Sequence, residues 1–127
     1  MSLLISGAKI ITSREILEDY SIKSNNGIIV GISKEKEDAE IVINADGLYL
    51  APGFIDTHTH GAGGGDYMDA TIDAYQTAGY TTGQNGVTTV LPSTLSATND
   101  ELMDTFDVFE KLQTLDNDGA DMPGLHL

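Results

Sequence analysis

The chain has no cysteine. That excludes a disulfide framework and any thiolate metal site. Cations are scarce: six Lys and Arg stand against twenty Asp and Glu, a formal net charge of −14. The shortage is uneven. Residues 1–50 carry five basic and eight acidic side chains, whereas residues 51–127 carry one basic residue, Lys111, and twelve acidic ones. A surface so poor in positive charge argues against nucleic acid and against anionic membranes as partners. No apolar run approaches the ~20 residues of a transmembrane helix. No basic segment leading into an apolar core marks a secretory signal. A cytoplasmic setting is the expectation. Two phosphate-binding signatures also fail. Gly61-x-Gly63 would need glycine at position 66 and has Asp66, and no Gly-Lys-Ser/Thr follows the glycine run.

Length sets a further bound. The 127 residues suffice for one small domain with a core, but not for the ~250 residues of a (β/α)₈ barrel. Residues 1–50 read as short strands: Leu3–Ile5, Ala8–Ile11, Tyr20–Lys23, Gly27–Ser33, Ile41–Ile43 and Leu48–Leu50. Asn26-Gly27 is a hairpin signal, and Lys34–Glu40 is expected as a charged, exposed loop. Strands at this spacing predict a small antiparallel sheet or sandwich, and nothing among them looks catalytic.

From Gly53 onward the pattern becomes strand, helix, strand, helix, strand. Thr71 or Asp69 can cap a helix running to about Asn85, with Gly86 as its stop. Val87–Leu91 is an apolar and threonine-rich run of the kind found in buried parallel strands. Thr98 and Glu101 fit a capping box. Leu102, Phe106, Phe109 and Leu112 then recur at helical spacing, with Met103 beside them as core. Asp118-Gly119 is expected to close that helix, and Met122–Leu127 to begin a third strand. Alternation of this kind implies parallel βαβ units. In barrels built from them, active groups sit at the C-terminal ends of strands.

One stretch carries chemistry. Pro52-Gly53-Phe54-Ile55-Asp56-Thr57-His58-Thr59-His60-Gly61 places a turn, then a strand over Phe54–His60. Strand side chains alternate, so Asp56, His58 and His60 share a face. Two imidazoles two positions apart, ~6–7 Å along the strand, can share a small cation. The strand is otherwise apolar, and at a buried strand end those polar groups would need a partner, for which a divalent metal suffices. Neutral imidazole suits zinc, iron, copper or nickel. Two histidines are fewer than the ligands a zinc site normally has, so others must come from elsewhere. The glycines after the strand permit a sharp turn and close approach to a bound molecule.

Pro-Gly-Phe-Ile-Asp-x-His-x-His-Gly resembles the first metal-ligand strand of the amidohydrolase superfamily. Gly61–Ala70, then Asn85–Thr94, then Pro123–Leu127, in that order, resemble the N-acetylglucosamine-6-phosphate deacetylase family over nearly the whole chain. The resemblance implies an α/β fold: the start of a (β/α)₈ TIM-type metal-dependent hydrolase barrel over residues 51–127, preceded by a small β-sandwich segment over residues 1–50. It implies amide hydrolysis of an amino sugar phosphate, with His58 and His60 on one or two divalent ions. Zinc comes first, with iron, manganese, nickel or cobalt as alternatives. Gly61, Gly63, Gly64 and Asp66 would line the substrate. Asp56 could orient a histidine from behind or equally balance local charge, and His126 is expected not as a ligand but as a satisfied core histidine or one behind the ligands. No catalytic base falls within the chain, the resemblance placing it downstream, so a fragment, inactive by itself, is expected. The family also implies a homo-oligomer, a dimer or larger. Two other readings stand beside it: an amidohydrolase of cyclic amides, such as a dihydroorotase or imidazolone hydrolase, and a non-catalytic fragment.

Overall fold

The computed structural model describes residues 1–35 and 37–127. The chain divides into two compact units, Met1–Pro52 and Gly53–Leu127. Among the described residues the first holds seven strands: β1 (Ser2–Ser6), β2 (Lys9–Ile11), β3 (Ile16–Leu17), β4 (Ser21–Asn25), β5 (Ile28–Ser33), β6 (Ile41–Asn44) and β7 (Tyr49–Leu50). They form two sheets, in the orders β5-β4-β1-β6 and β3-β2-β7.

The β4–β5 hairpin turns at Asn26 and Gly27, both at positive φ (48° and 80°), as the sequence predicts. The pairing is not purely antiparallel, however. β6 lies parallel to β1, and β7 parallel to β2. The reason is that two stretches leave one sheet for the other side by side. The chain turns at Gly7 (φ 82°) and again at Gly47 (φ 76°). The amide of Ala45 donates to Ser6 O at 2.8 Å and that of Lys9 to Leu48 O at 2.9 Å, which stitches the crossing strands together. A Cβ on Gly7 would stand 3.0 Å from the Asp46 amide nitrogen, so the close approach needs glycine there.

Leu4, Ala8, Ile10 and Ala45 are the buried apolar residues of this unit. An apolar groove of about 690 Å³ runs within it, lined by Ile5, Ile22, Ile29, Ile32 and Leu50 among others. Of the expected loop over Lys34–Glu40, Lys36 lies outside the described residues. Glu37 is half-buried rather than exposed, ion-paired to Lys23 at 3.0 Å.

The second unit opens with β8 (Phe54–Thr59), followed by the two-residue strands β9 (Gly61–Ala62) and β10 (Gly65–Asp66). A 3₁₀ turn over Tyr67–Asp69, helix α1 (Ile72–Gln84), strand β11 (Val87–Pro92) and helix α2 (Asn99–Leu112) complete it. β8 and β11 are parallel and joined through α1, the βαβ arrangement the alternation predicts. The third strand is present only as two bridges, Thr89 to Asp121 and Ser93 to His126. Proline explains the gap: Pro123 has no amide to donate between those bridges, and Pro92 has none on the facing strand.

Thr71 caps α1, accepting from the Ala74 amide, and Gly86 at φ 85° follows its end. Gly79 and Gly83 weaken that helix by ~1 kcal/mol each relative to alanine, but they let another segment close in. The Ala120 amide donates to Gly79 O at 2.9 Å. Met122 Cε would stand 2.7 Å from a Cβ on Gly79. Asp118-Gly119 therefore packs on α1, and α2 ends earlier, at Leu112. The α2 stripe also differs from expectation. Met103 is 55% exposed, while Thr105 is fully buried, its hydroxyl satisfied by Glu101 O at 3.0 Å.

The core gathers Tyr67, Tyr75, Ala78, Val90, Leu112, Ala120 and Met122. The phenol oxygens of Tyr67 and Tyr75 are buried without a partner among the described residues. Burial pushes both phenols up to about 12, with the negative charge of Asp56 adding to the effect at Tyr67. Tyr75→Phe removes an unsatisfied hydroxyl, so it is expected to leave stability unchanged or raise it by ~1 kcal/mol in chemical denaturation.

The capping box of α2 is complete. Thr98 Oγ1 accepts from the Glu101 amide, and Glu101 Oε2 accepts from the Thr98 amide at 2.8 Å. Thr98→Ala is expected to cost about 1 kcal/mol. The Thr98 hydroxyl, and then its amide, hold the Glu101 carboxyl below its usual range. A depressed carboxyl stabilises fully above its unfolded pKa, ~4.3, and that stabilisation fades as pH falls through the lower folded value. The gap in stability between wild type and Thr98→Ala is therefore expected to narrow as denaturation is measured at falling pH through that range.

Candidate functional site

β8 delivers Asp56, His58 and, one residue past its end, His60 to the carboxyl end of the parallel pair. The rings of His58 and His60 lie 5.2 Å apart, edge to face. The strand is not buried as its composition suggests: Phe54 is 69% and Ile55 68% exposed, His58 is exposed and His60 half-buried. β8 has β11 on one side and, among the described residues, no strand on the other. Burial therefore does not by itself demand a partner for His58.

His60 is held more firmly. Its Nδ1 lies 3.0 Å from Ser93 O. A carbonyl only accepts, so Nδ1 carries the proton and Nε2 of the neutral ring keeps an open lone pair. His126 also reaches this end of the unit, half-buried, with its ring 4.7 Å from that of His58 and its Nδ1 3.3 Å from Ser93 Oγ. Asp56 does not touch an imidazole. Its Oδ1 accepts the His58 backbone amide at 3.1 Å. Among the described residues no group of three or more His, Cys, Asp or Glu is arranged to hold a metal ion. The donor chemistry of His58 and His60 fits a divalent cation as two imidazoles of a larger set.

The glycine stretch is more ordered than a bare loop. β9 and β10 pair through a Gly63-Gly64 turn at φ 63° and 91°. Gly61 is linked to the histidine strand by the Thr59 hydroxyl, which donates to its carbonyl at 3.2 Å. Asp66 caps the 3₁₀ turn, accepting from the Met68 amide at 2.8 Å, while Asp69 accepts the Asp66 amide at 3.2 Å. Gly63 and Gly64 line a cavity of about 300 Å³ with Asp69, Thr71, Asp73 and Thr77, and neither histidine of the pair lines it. Gly61 thus sits beside the imidazoles, while the turn glycines line a cavity with α1, Gly63 against Thr77 and Thr81. Sequence reasoning places Ser93 towards the active end of its strand but gives it no role; it is 2% exposed and in contact with two of the three imidazoles. Its only signal in the sequence is its place just beyond the end of an apolar strand.

Residues 41–114 match the model of the Amidohydrolase family, more than half of the chain, and the chain belongs to that family. Within it, N-acetylglucosamine-6-phosphate deacetylase of Bacillus subtilis (strain 168) is 29% identical over 133 aligned positions, covering 99% of this chain and 33% of that protein. The chain thus spans a third of that relative's length. A dihydroorotase of Bacillus pumilus (strain SAFR-032) is 38% identical over 87 positions, 65% of this chain and 20% of that protein. The crystal structure of N-acetylglucosamine-6-phosphate deacetylase from Pasteurella multocida shares the fold, with a TM-score of 0.82 at 22% identity, over 94% of this chain and 32% of that one.

Proposed function

We propose that this chain is the N-terminal part of a metal-dependent deacetylase that hydrolyses the acetamide of N-acetylglucosamine 6-phosphate to glucosamine 6-phosphate and acetate. The observation that carries the reading is the His58/His60 pair at the carboxyl end of β8, with the His60 ring anchored through Nδ1. Near end-to-end similarity to a deacetylase supports it. In this reading residues 51–127 open a (β/α)₈ barrel, and residues 1–50 belong to a small β-sandwich domain.

His58 and His60 would hold a divalent ion, zinc first, with iron, manganese, nickel or cobalt as alternatives. Held there, it would supply Lewis-acid polarisation of an amide carbonyl and would acidify water for attack. The chain's own residues orient. Ser93 O directs the His60 ring. Asp56 steadies the His58 backbone. The Gly61 backbone offers a lining beside the pair. Asp66 retains one carboxylate oxygen for a sugar hydroxyl while the other caps the 3₁₀ turn. The resemblance assigns the general base to sequence downstream of these residues. Lys111, on the last turn of α2, is the sole Lys or Arg after residue 50, so the phosphate-binding cations are assigned to a further segment or to a partner subunit. A cytoplasmic homo-oligomer, a dimer or larger, completes the proposal.

Acetate release from N-acetylglucosamine 6-phosphate by the full-length gene product, with metal content measured alongside, tests the reading. A second reading, hydrolysis of a cyclic amide, draws on the 38% identity to a dihydroorotase. Metal binding without acetate release, together with turnover of dihydroorotate, would favour it.

A further inference from the structure

Ser93 stands where the ends of three parallel segments meet. Its amide donates to Thr59 O at 2.9 Å, tying it to the residue between the two histidines of β8. Its carbonyl accepts from His60 Nδ1 at 3.0 Å. Its hydroxyl donates to Leu91 O at 3.2 Å and lies 3.3 Å from His126 Nδ1. A serine hydroxyl has one proton. Leu91 O is the nearer of the two partners, and in the arrangement that donates to it Oγ meets His126 as an acceptor, with the His126 proton on Nδ1 and Nε2 open. The His126 segment is itself pinned to β11, its amide donating to Pro92 O at 2.9 Å and its carbonyl accepting from Thr94 N at 3.0 Å. Both rings that Ser93 touches lie against His58, at 5.2 and 4.7 Å between centroids. His58, the exposed member, is braced by them.

We propose that Ser93 is the positioning residue of this site: its carbonyl fixes the His60 tautomer, its hydroxyl fixes that of His126, and the two rings together orient His58. The proposal rests on His58 and His60 as the metal-holding pair, and the hydrogen bonds a ligand imidazole makes through its other nitrogen decide which nitrogen it offers a metal. Ser93→Ala separates the two arms, because it removes the hydroxyl and keeps the carbonyl.

The test uses the full-length protein, stripped of metal and ¹⁵N-labelled, with ring nitrogens observed in alkaline buffer. In wild type both His60 and His126 are expected as Nδ1–H tautomers. In Ser93→Ala His60 keeps its tautomer, His126 shifts towards the other, and zinc affinity falls ~10-fold. Ser93→Thr, which keeps the hydroxyl, restores both. An Nε2–H tautomer at His126 in wild type overturns the proposal, and so does an alanine variant with unchanged tautomer and affinity. Should the alanine variant fail to fold, the wild-type spectrum still decides. Tautomers as expected in a protein that binds no zinc would instead remove the metal reading and leave the hydrogen-bond geometry standing.

Discussion

Replacing His58 and His60 together by alanine is expected to strip bound metal from the full-length protein and to lower acetate release by ~100-fold or more. Loss of a group that merely orients a ligand costs 10–100-fold in affinity or activity, and removing ligands themselves costs at least that. Folding is expected to survive, because the pair contributes little burial: His58 is exposed and His60 half-buried, and neither belongs to the core cluster. A double variant with wild-type unfolding, depleted metal and lost turnover would locate the chemistry on β8. Turnover that persists with metal still bound would move the essential ligands to sequence beyond this chain and demote the pair to an accessory position.

Gly61→Ala is expected to be the most destabilising single change in the glycine stretch, by about 3 kcal/mol or more. Two independent costs coincide there. The residue has φ 150°, a conformation that side-chain-bearing residues rarely adopt. A Cβ would also run into Gly65 O and approach Asp66 Cα to 2.9 Å, so the β9–β10 pairing would have to open. Gly64→Ala isolates the first cost. At φ 91° it is strained, but its Cβ would meet nothing within 4 Å, and a loss of about 1–2 kcal/mol is expected. Denaturant midpoints of the two variants, measured side by side, check the ordering. Equal losses would mean that the hairpin tolerates the added methyl group, and that the backbone angle alone matters.

Some of this fold could be read directly from residues. Asn26-Gly27 announces a hairpin because few residue pairs tolerate two successive positive φ angles. Thr98 and Glu101 announce a helix start because their side chains satisfy amides that the helix cannot. The parallel β1–β6 and β2–β7 pairings were not readable, since a parallel partner is chosen by the path between strands and not by the strands themselves. Thr105 hid in plain view. It lies on the stripe with Leu102, Phe109 and Leu112, and its hydroxyl bonds back to Glu101 O, so a polar residue fills a core position. At the site, His58 and His60 stood out by spacing, and His126 could be read as a core histidine or as one behind them. Ser93 did not, because its role depends on a backbone carbonyl and a hydroxyl whose partners lie 33 residues away in either direction.

The clasp between the first strand and the stretch before β6 sets the order in which the first unit can assemble. The Ser2 amide donates to Glu40 Oε2 at 2.7 Å and the Glu40 amide to Ser2 Oγ at 3.0 Å, across a separation of 38 residues. Closing a loop of n residues costs entropy that grows as about (3/2)RT ln n. The β4–β5 hairpin closes across a two-residue turn and can form on its own, whereas β6 gains nothing until β1 is already in place. Its parallel pairing is therefore expected to form late, and a variant that breaks the clasp, Ser2→Ala, is expected to speed unfolding while leaving the folding rate nearly unchanged in stopped-flow measurements.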